Sequence, residues 1–146
     1  LLFSEGLSGN EDEKMMIQID TMPHGFQYHP EQVILNKFDV FTQISATPLP
    51  TLLSQKINAI LNRKSAKGRD FYDTVFLLSK TTPDYEYLNK KLKIKSPDSL
   101  RKTLEERCAR LNFKKLTEDV QAFLIDPRDA KKIMLFPEYL KQAKLG

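Results

Sequence analysis

The sequence predicts an α+β fold, a few N-terminal β-strands followed by a C-terminal α-helical bundle. Three observations predict it. Apolar residues alternate with a period of two in the first third of the chain, and from Leu52 onward they recur with a helical period. Between the two regimes stand Pro48 and Pro50, which cannot donate to a strand ladder. The division is therefore placed at residue 50, with 1–50 as the β segment and 51–146 as the helical part.

Met15-Met16-Ile17-Gln18-Ile19-Asp20 has apolar side chains at 15, 17 and 19, the pattern of a half-buried strand that ends on Asp20. Thr21-Met22-Pro23-His24-Gly25 is turn chemistry. Val33–Leu35 and Phe38–Ala46 are β-capable, with Phe38, Val40, Thr42, Ile44 and Ala46 on one face. Two or three strands with no partner sheet make a poor stand-alone unit. They are expected either to pack on the helices or to belong to a larger sheet.

Leu52, Leu53, Lys56, Ile57, Ile60 and Leu61 follow the helical period, with Pro50 near the first turn. Asn62–Gly68 is a polar, basic loop, and Arg69–Ser79 is a second helix turning Phe71, Val75 and Leu78 to a core. A short helix is expected over Asp84–Leu92. Ser96-Pro97 reads as an N-cap followed by proline in the first helical position, ahead of a stripe of Leu100, Leu104, Cys108 and Leu111. Leu116, Val120, Phe123 and Leu124 mark a further helix. A last one includes Ile133, with Pro137 breaking it before Tyr139-Leu140.

Apolar residues make up 40% of the chain and charged residues 29%, which supports a core of ordinary size and excludes wholesale disorder. A single cysteine, Cys108, excludes an internal disulfide framework and fits a reducing, cytoplasmic setting. No apolar run is long enough for a membrane span and no signal segment opens the chain, so no membrane partner is expected. The start at Leu1 rather than methionine reads as a processed or shortened N-terminus. Charge is uneven. Residues 1–20 carry five acids against Lys14, whereas residues 51–146 carry 21 Lys/Arg against 12 Asp/Glu. A basic rear half points, weakly, to a polyanionic partner.

The segment that carries chemistry is Lys56-Ile-Asn-Ala-Ile-Leu-Asn-Arg63 followed by Arg69-Asp70-Phe71-Tyr72-Asp73. Asp70 and Asp73 are three apart, hence on one helical face, and in a first turn that favours negative charge. A short connection makes the Lys56 helix their neighbour. A lysine beside a carboxylate stays charged and can grip a triphosphate as a point charge. Phosphoryl-type transfer needs little more than held phosphates, neutralised charge and an aligned hydroxyl.

This combination resembles the signature of the AbiEii-type nucleotidyltransferase toxins of abortive-infection systems, over roughly Met15–Leu78. The Pro48-Leu49-Pro50 approach and the strand ending in Asp20 resemble the family too. The resemblance implies a polymerase-β-like fold, of which residues 1–50 would be part of the nucleotidyltransferase sheet. It implies transfer of a nucleotide from an NTP to an RNA acceptor such as tRNA, with Mg²⁺ as the metal cofactor and an antitoxin as possible partner. Lys56 would bind NTP phosphate, Asp70 would orient that lysine or the acceptor, and Arg69 and Asp73 would support nucleotide binding. Asp20 would be the third acidic residue, a metal ligand near the acceptor hydroxyl. The family's Gly-Ser motif with a following Asp-x-Asp pair does not occur in these 146 residues. The expectation is therefore a C-terminal portion of such an enzyme, inactive by itself.

Plainer readings stand beside these. Lys56 can be a solvated helix lysine, Asp70 a helix-start acid, Asp73 and Arg69 a surface ion pair, and Asp20 a strand-end turn residue. His24 and His29 lack carboxylate or cysteine partners at metal-site spacing. The runs Lys90-Lys91-Lys93-Lys95, Arg101-Lys102, Lys114-Lys115 and Lys131-Lys132 are either solvated faces or, with Lys64 and Lys67, a phosphate-binding surface. Tyr72, Tyr85 and Tyr87 are either core residues or stacking surfaces. The alternative function is a non-catalytic helical module that binds RNA or a protein partner.

Overall fold

The computed structural model describes residues 25–37, 39–121 and 123–146, together with Gly6 and Gly9. The strand expected over 15–20, with Asp20, and also His24 and Phe38, lie outside the described residues. Those described form an α+β arrangement of one antiparallel hairpin followed by helices.

The hairpin consists of β1 (Glu31–Lys37) and β2 (Val40–Ala46), paired in a register that sets Val33 opposite Ile44 and Lys37 opposite Val40. The alternation expected for Val40, Thr42 and Ile44 holds, yet neither face is buried. Val33, Val40 and Ile44 are exposed on one face, and Ile34 and Phe41, 63% and 75% exposed, lie on the other. Of the two arrangements open to these strands, packing of their faces on the helices is not the one adopted. The segment leading into the hairpin is anchored. Phe26 meets the buried Tyr87 ring edge-on at 5.0 Å, and Tyr28 shares a 2.8 Å hydrogen bond with Thr47.

The helices are α1 (Leu49–Asn62), α2 (Gly68–Leu78), α3 (Tyr85–Leu92), α4 (Pro97–Cys108), α5 (Phe113–Gln121), α6 (Lys131–Met134) and α7 (Phe136–Gln142), with a 3₁₀ turn at Pro127–Ala130. Pro50 falls in the first turn of α1, where its missing N–H has no helical partner to lose. Leu53, Ile57 and Ile60 carry the buried stripe of α1. Ser96 caps α4 by accepting from the Ser99 amide at 3.3 Å, and Leu100, Leu104 and Cys108 are buried. Cys108 is a core residue, and its burial pushes the thiol up to about 12. Asp84 ties α3 to α1. Its carboxylate accepts from the Tyr87 amide at 3.0 Å and from Thr51 Oγ1 at 2.9 Å, while its own amide donates to Ser54 Oγ at 2.8 Å.

Two expectations about the last third need correction. Phe123 lies beyond α5 and is 84% exposed; only Leu116 and Val120 of the proposed stripe are buried. Pro137 does not break a helix before Tyr139. It sits in the first turn of α7, and the break falls at Leu135, between α6 and α7.

The core that positions the candidate site is aromatic. Phe71 of α2 meets Phe136 at 5.0 Å and Phe113 at 5.3 Å, both edge-on, a favoured geometry for ring quadrupoles. α2 also approaches α5 so closely at Gly68 that an added Cβ would lie 2.5 Å from Val120 Cγ2 and against the Leu116 carbonyl. Glycine is required there by the approach of the two backbones. These contacts fix the rotation of α2, and with it the direction of Asp70.

Candidate active site

α1 and α2 are consecutive helices joined by the basic loop, and the side chains singled out in the sequence meet between them. Lys56 Nζ lies 2.7 Å from Asp73 Oδ2 and 3.9 Å from Asp70 Oδ1. On the other side of Asp70, Arg63 Nη1 stands 3.1 Å from Oδ2. Lys56 and Arg63 are seven residues apart on α1 and its C-cap, two turns, and so reach the same neighbour. Asp70 is the inner member of the group, 2% exposed, whereas the Lys56 side chain is 29% exposed. The cluster thus presents cationic groups at its rim over a buried carboxylate.

Electrostatics follow from that placement. Burial is the largest influence on Asp70 and raises its carboxyl above the ordinary range. Arg63, Lys56 and Arg69 act against it in that order, and Asp73 adds to the rise. Asp70 Oδ2 has no aligned hydrogen bond, so its contact with Arg63 is ionic without the geometry of a fork. A buried carboxylate with an incompletely satisfied oxygen holds its cations firmly but is costly to keep charged.

Lys56 is not a free surface lysine, since two carboxylates hold it. Asp73 pairs with Lys56, not within its own turn with Arg69. Arg69 is exposed, one residue from Asp70 in the first turn of α2. Tyr87 is fully buried, Tyr85 is half-buried and donates to the Leu145 carbonyl at 2.5 Å, and Tyr72 donates to Asp129 at 2.9 Å. The tyrosines are therefore engaged in packing and bonding. His29 is exposed.

The roles assigned from sequence omitted Arg63, although it stood in the quoted segment; its seven-residue spacing from Lys56 was the available signal. They also omitted Arg107 of α4, which donates from Nε to the Ile60 carbonyl at 3.0 Å and from Nη2 to the Arg63 carbonyl at 2.7 Å. α1 has no basic residue in its last turn, and Arg107 supplies that cation from another helix.

Among the described residues no group of three or more His, Cys, Asp and Glu is placed to hold a metal ion. Asp70 and Asp73 face ammonium and guanidinium groups, which would repel a divalent cation. Lys56 and Arg63 are the cations at the rim of this charge-balanced group, and the described part of the site does not by itself fit Mg²⁺.

This cluster lies in the segment Lys56–Arg63 and Arg69–Asp73 that resembles the abortive-infection toxins. The family model described as nucleotidyl transferase AbiEii toxin, type IV toxin–antitoxin system, matches residues 3–142. The chain belongs to the AbiEii family. Its family is thus one of nucleotidyltransferase toxins of toxin–antitoxin systems, and the match includes the hairpin and all but the last residues of the helical part. Searches of curated proteins and of solved structures return no match. No described helix is long and apolar enough to cross a membrane.

Proposed function

We propose that this chain contributes the phosphate-binding part of a nucleotidyltransferase centre that transfers a nucleotide from an NTP to an RNA acceptor such as tRNA. The observation that carries the reading is the placement of Lys56 between Asp70 and Asp73, with Arg63 closing the other side of Asp70. In this reading Lys56 grips NTP phosphate, Asp70 orients the lysine, Asp73 steadies it, and Arg69 adds positive charge at the rim. The reaction joins an acceptor oxygen to the α-phosphorus and releases pyrophosphate. A cation that is already positioned lowers the cost of developing charge on the phosphates, because it needs no rearrangement during the step.

Mg²⁺ is proposed as the cofactor of the complete centre, held by carboxylates other than Asp70 and Asp73. Asp20 is the candidate from this chain, near the acceptor hydroxyl. With no Gly-Ser/Asp-x-Asp motif among its 146 residues, the chain alone is proposed to bind nucleotide without transferring it. An antitoxin and a cytoplasmic site of action belong to the same reading.

The test has two stages. Titration of the chain with a fluorescent NTP analogue should show binding that Lys56→Ala and Asp70→Ala weaken. Supplying a segment with the Gly-Ser/Asp-x-Asp motif, together with Mg²⁺, NTPs and tRNA, should label the RNA. Full binding and full transfer by both variants would end the assignment.

A further inference from the structure

Phe123, expected in the core, instead lines a cleft at the surface. Its ring is 84% exposed just beyond α5. With Val120 it lines a cleft of about 460 Å³ that Lys67 and Arg69, at the start of α2, and Asp119 also line. That volume lies within the roughly 300–1,000 Å³ of small-ligand sites. A neighbouring depression of about 260 Å³ shares Lys67 and Asp119 and reaches Lys115. Two cations and one carboxylate therefore share a cleft with an aromatic ring presented to solvent, and a third cation lines the depression beside it.

The cleft adjoins the Lys56 cluster through one residue. Gly68 abuts α5, and Asp70, two positions on, turns to α1. Arg69 lies between them on the exposed side of α2. It lines the cleft, and its charge also acts on the Asp70 carboxylate. Arg69 thus stands between the cleft and the carboxylate that holds Lys56.

We propose that this cleft takes the single-stranded end of the acceptor RNA, one base stacked on Phe123 and the adjoining phosphates on Lys67, Arg69 and Lys115. The inference rests on reading the Lys56 cluster as the nucleotide-binding centre. Every base offers a π-face to such a ring, and cations along a groove follow the backbone. The Asp119 carboxylate disfavours phosphate at its own position but accepts from a base amine or a ribose 2′-hydroxyl.

Anisotropy of a short labelled oligo(A) ribonucleotide, titrated with the whole chain, tests this. Phe123→Ala should weaken binding about tenfold or more. Lys67→Gln should lower the slope of log affinity against log salt by about one. Phe123→Ala should keep the wild-type unfolding midpoint, since the side chain it removes is exposed. The chain has no tryptophan, so Phe123→Trp gives a single reporter whose emission should be quenched by oligo(A) but not by ATP. Unchanged affinity in Phe123→Ala with no quenching in Phe123→Trp would overturn the proposal. Quenching by ATP, with ATP displacing the oligonucleotide, would also overturn it and give the cleft to the NTP base. Lys56→Ala separates the two readings. It should lose NTP affinity and keep oligo(A) affinity, so loss of NTP binding there with no effect of Phe123→Ala would remove the cleft alone. Undiminished NTP binding in Lys56→Ala would remove the nucleotide centre instead.

Discussion

The guanidinium of Arg107 is hydrogen-bonded at 2.7 Å to the backbone carbonyl of Arg63, across 44 residues of sequence. The bond holds the end of α1 at the residue whose side chain reaches Asp70. Arg107→Ala should therefore act on both the fold and the candidate site. Two hydrogen bonds from a charged donor would be lost, one part-buried and one exposed; the part-buried one sets the scale, a destabilisation of about 1.5–3 kcal/mol in urea unfolding. NTP affinity should fall too, because Arg63 is no longer held. Arg107→Lys should restore part of the stability and less of the affinity, since an ammonium cannot span both carbonyls in one plane. Wild-type NTP affinity in Arg107→Ala would leave the residue a helix clamp only.

Lys56→Ala should lower NTP affinity by roughly 10- to 100-fold, the worth of one charge-assisted contact. Its effect on stability should be smaller, because Arg63 still faces Asp70 and Asp73 is 38% exposed. Parallel calorimetric titration and urea unfolding read the two effects. A large loss of stability with unaltered NTP affinity would make Lys56 a structural cation.

Gly68→Ala inverts a familiar rule. Inside a helix the change ordinarily stabilises by about 0.5–1 kcal/mol. Here the added methyl would stand 2.5 Å from Val120 Cγ2 and against the Leu116 carbonyl, which cannot retreat as a side-chain tip could. A destabilisation of about 1–3 kcal/mol is expected, read from the urea midpoint, as α2 is levered off α5. A more stable variant would mean that the two helices separate freely.

What could be read from the sequence was what local chemistry determines. The Ser96-Pro97 start of α4 and the Pro50 turn of α1 were legible because capping groups act within one turn. The meeting of Lys56 with Asp70 was legible because a short loop leaves consecutive helices few arrangements. The reach of Arg107 to Ile60 spans 47 residues and leaves no periodic trace. Phe123 continued an apolar stripe on paper, but α5 stops at Gln121, and beyond a helix end the period no longer decides which side a residue faces. Pro137 misled because proline ends one helix and begins another equally well. The hairpin's alternation was plain, yet alternation does not say what covers either face.

Asp70 gives the fold a pH dependence of defined sign. Burial raises its carboxyl above the ordinary 3.8, with Arg63, Lys56 and Arg69 only partly offsetting the rise. The folded chain then binds the Asp70 proton more tightly than the unfolded chain does. Its contribution to stability is fully present below the unfolded value and is lost as pH rises through the folded one. Asp70→Asn keeps the shape and removes this titration. The stability of the wild type relative to Asp70→Asn should therefore fall as pH is raised from below 3.8 through the carboxyl's raised range. Urea unfolding of both proteins at closely spaced pH values measures the difference. Asp70→Asn should also release Lys56 and Arg63 from the buried carboxylate, so NTP affinity should change in the same variant at neutral pH. A difference in stability that grows with pH would mean that the two cations outweigh burial at this position.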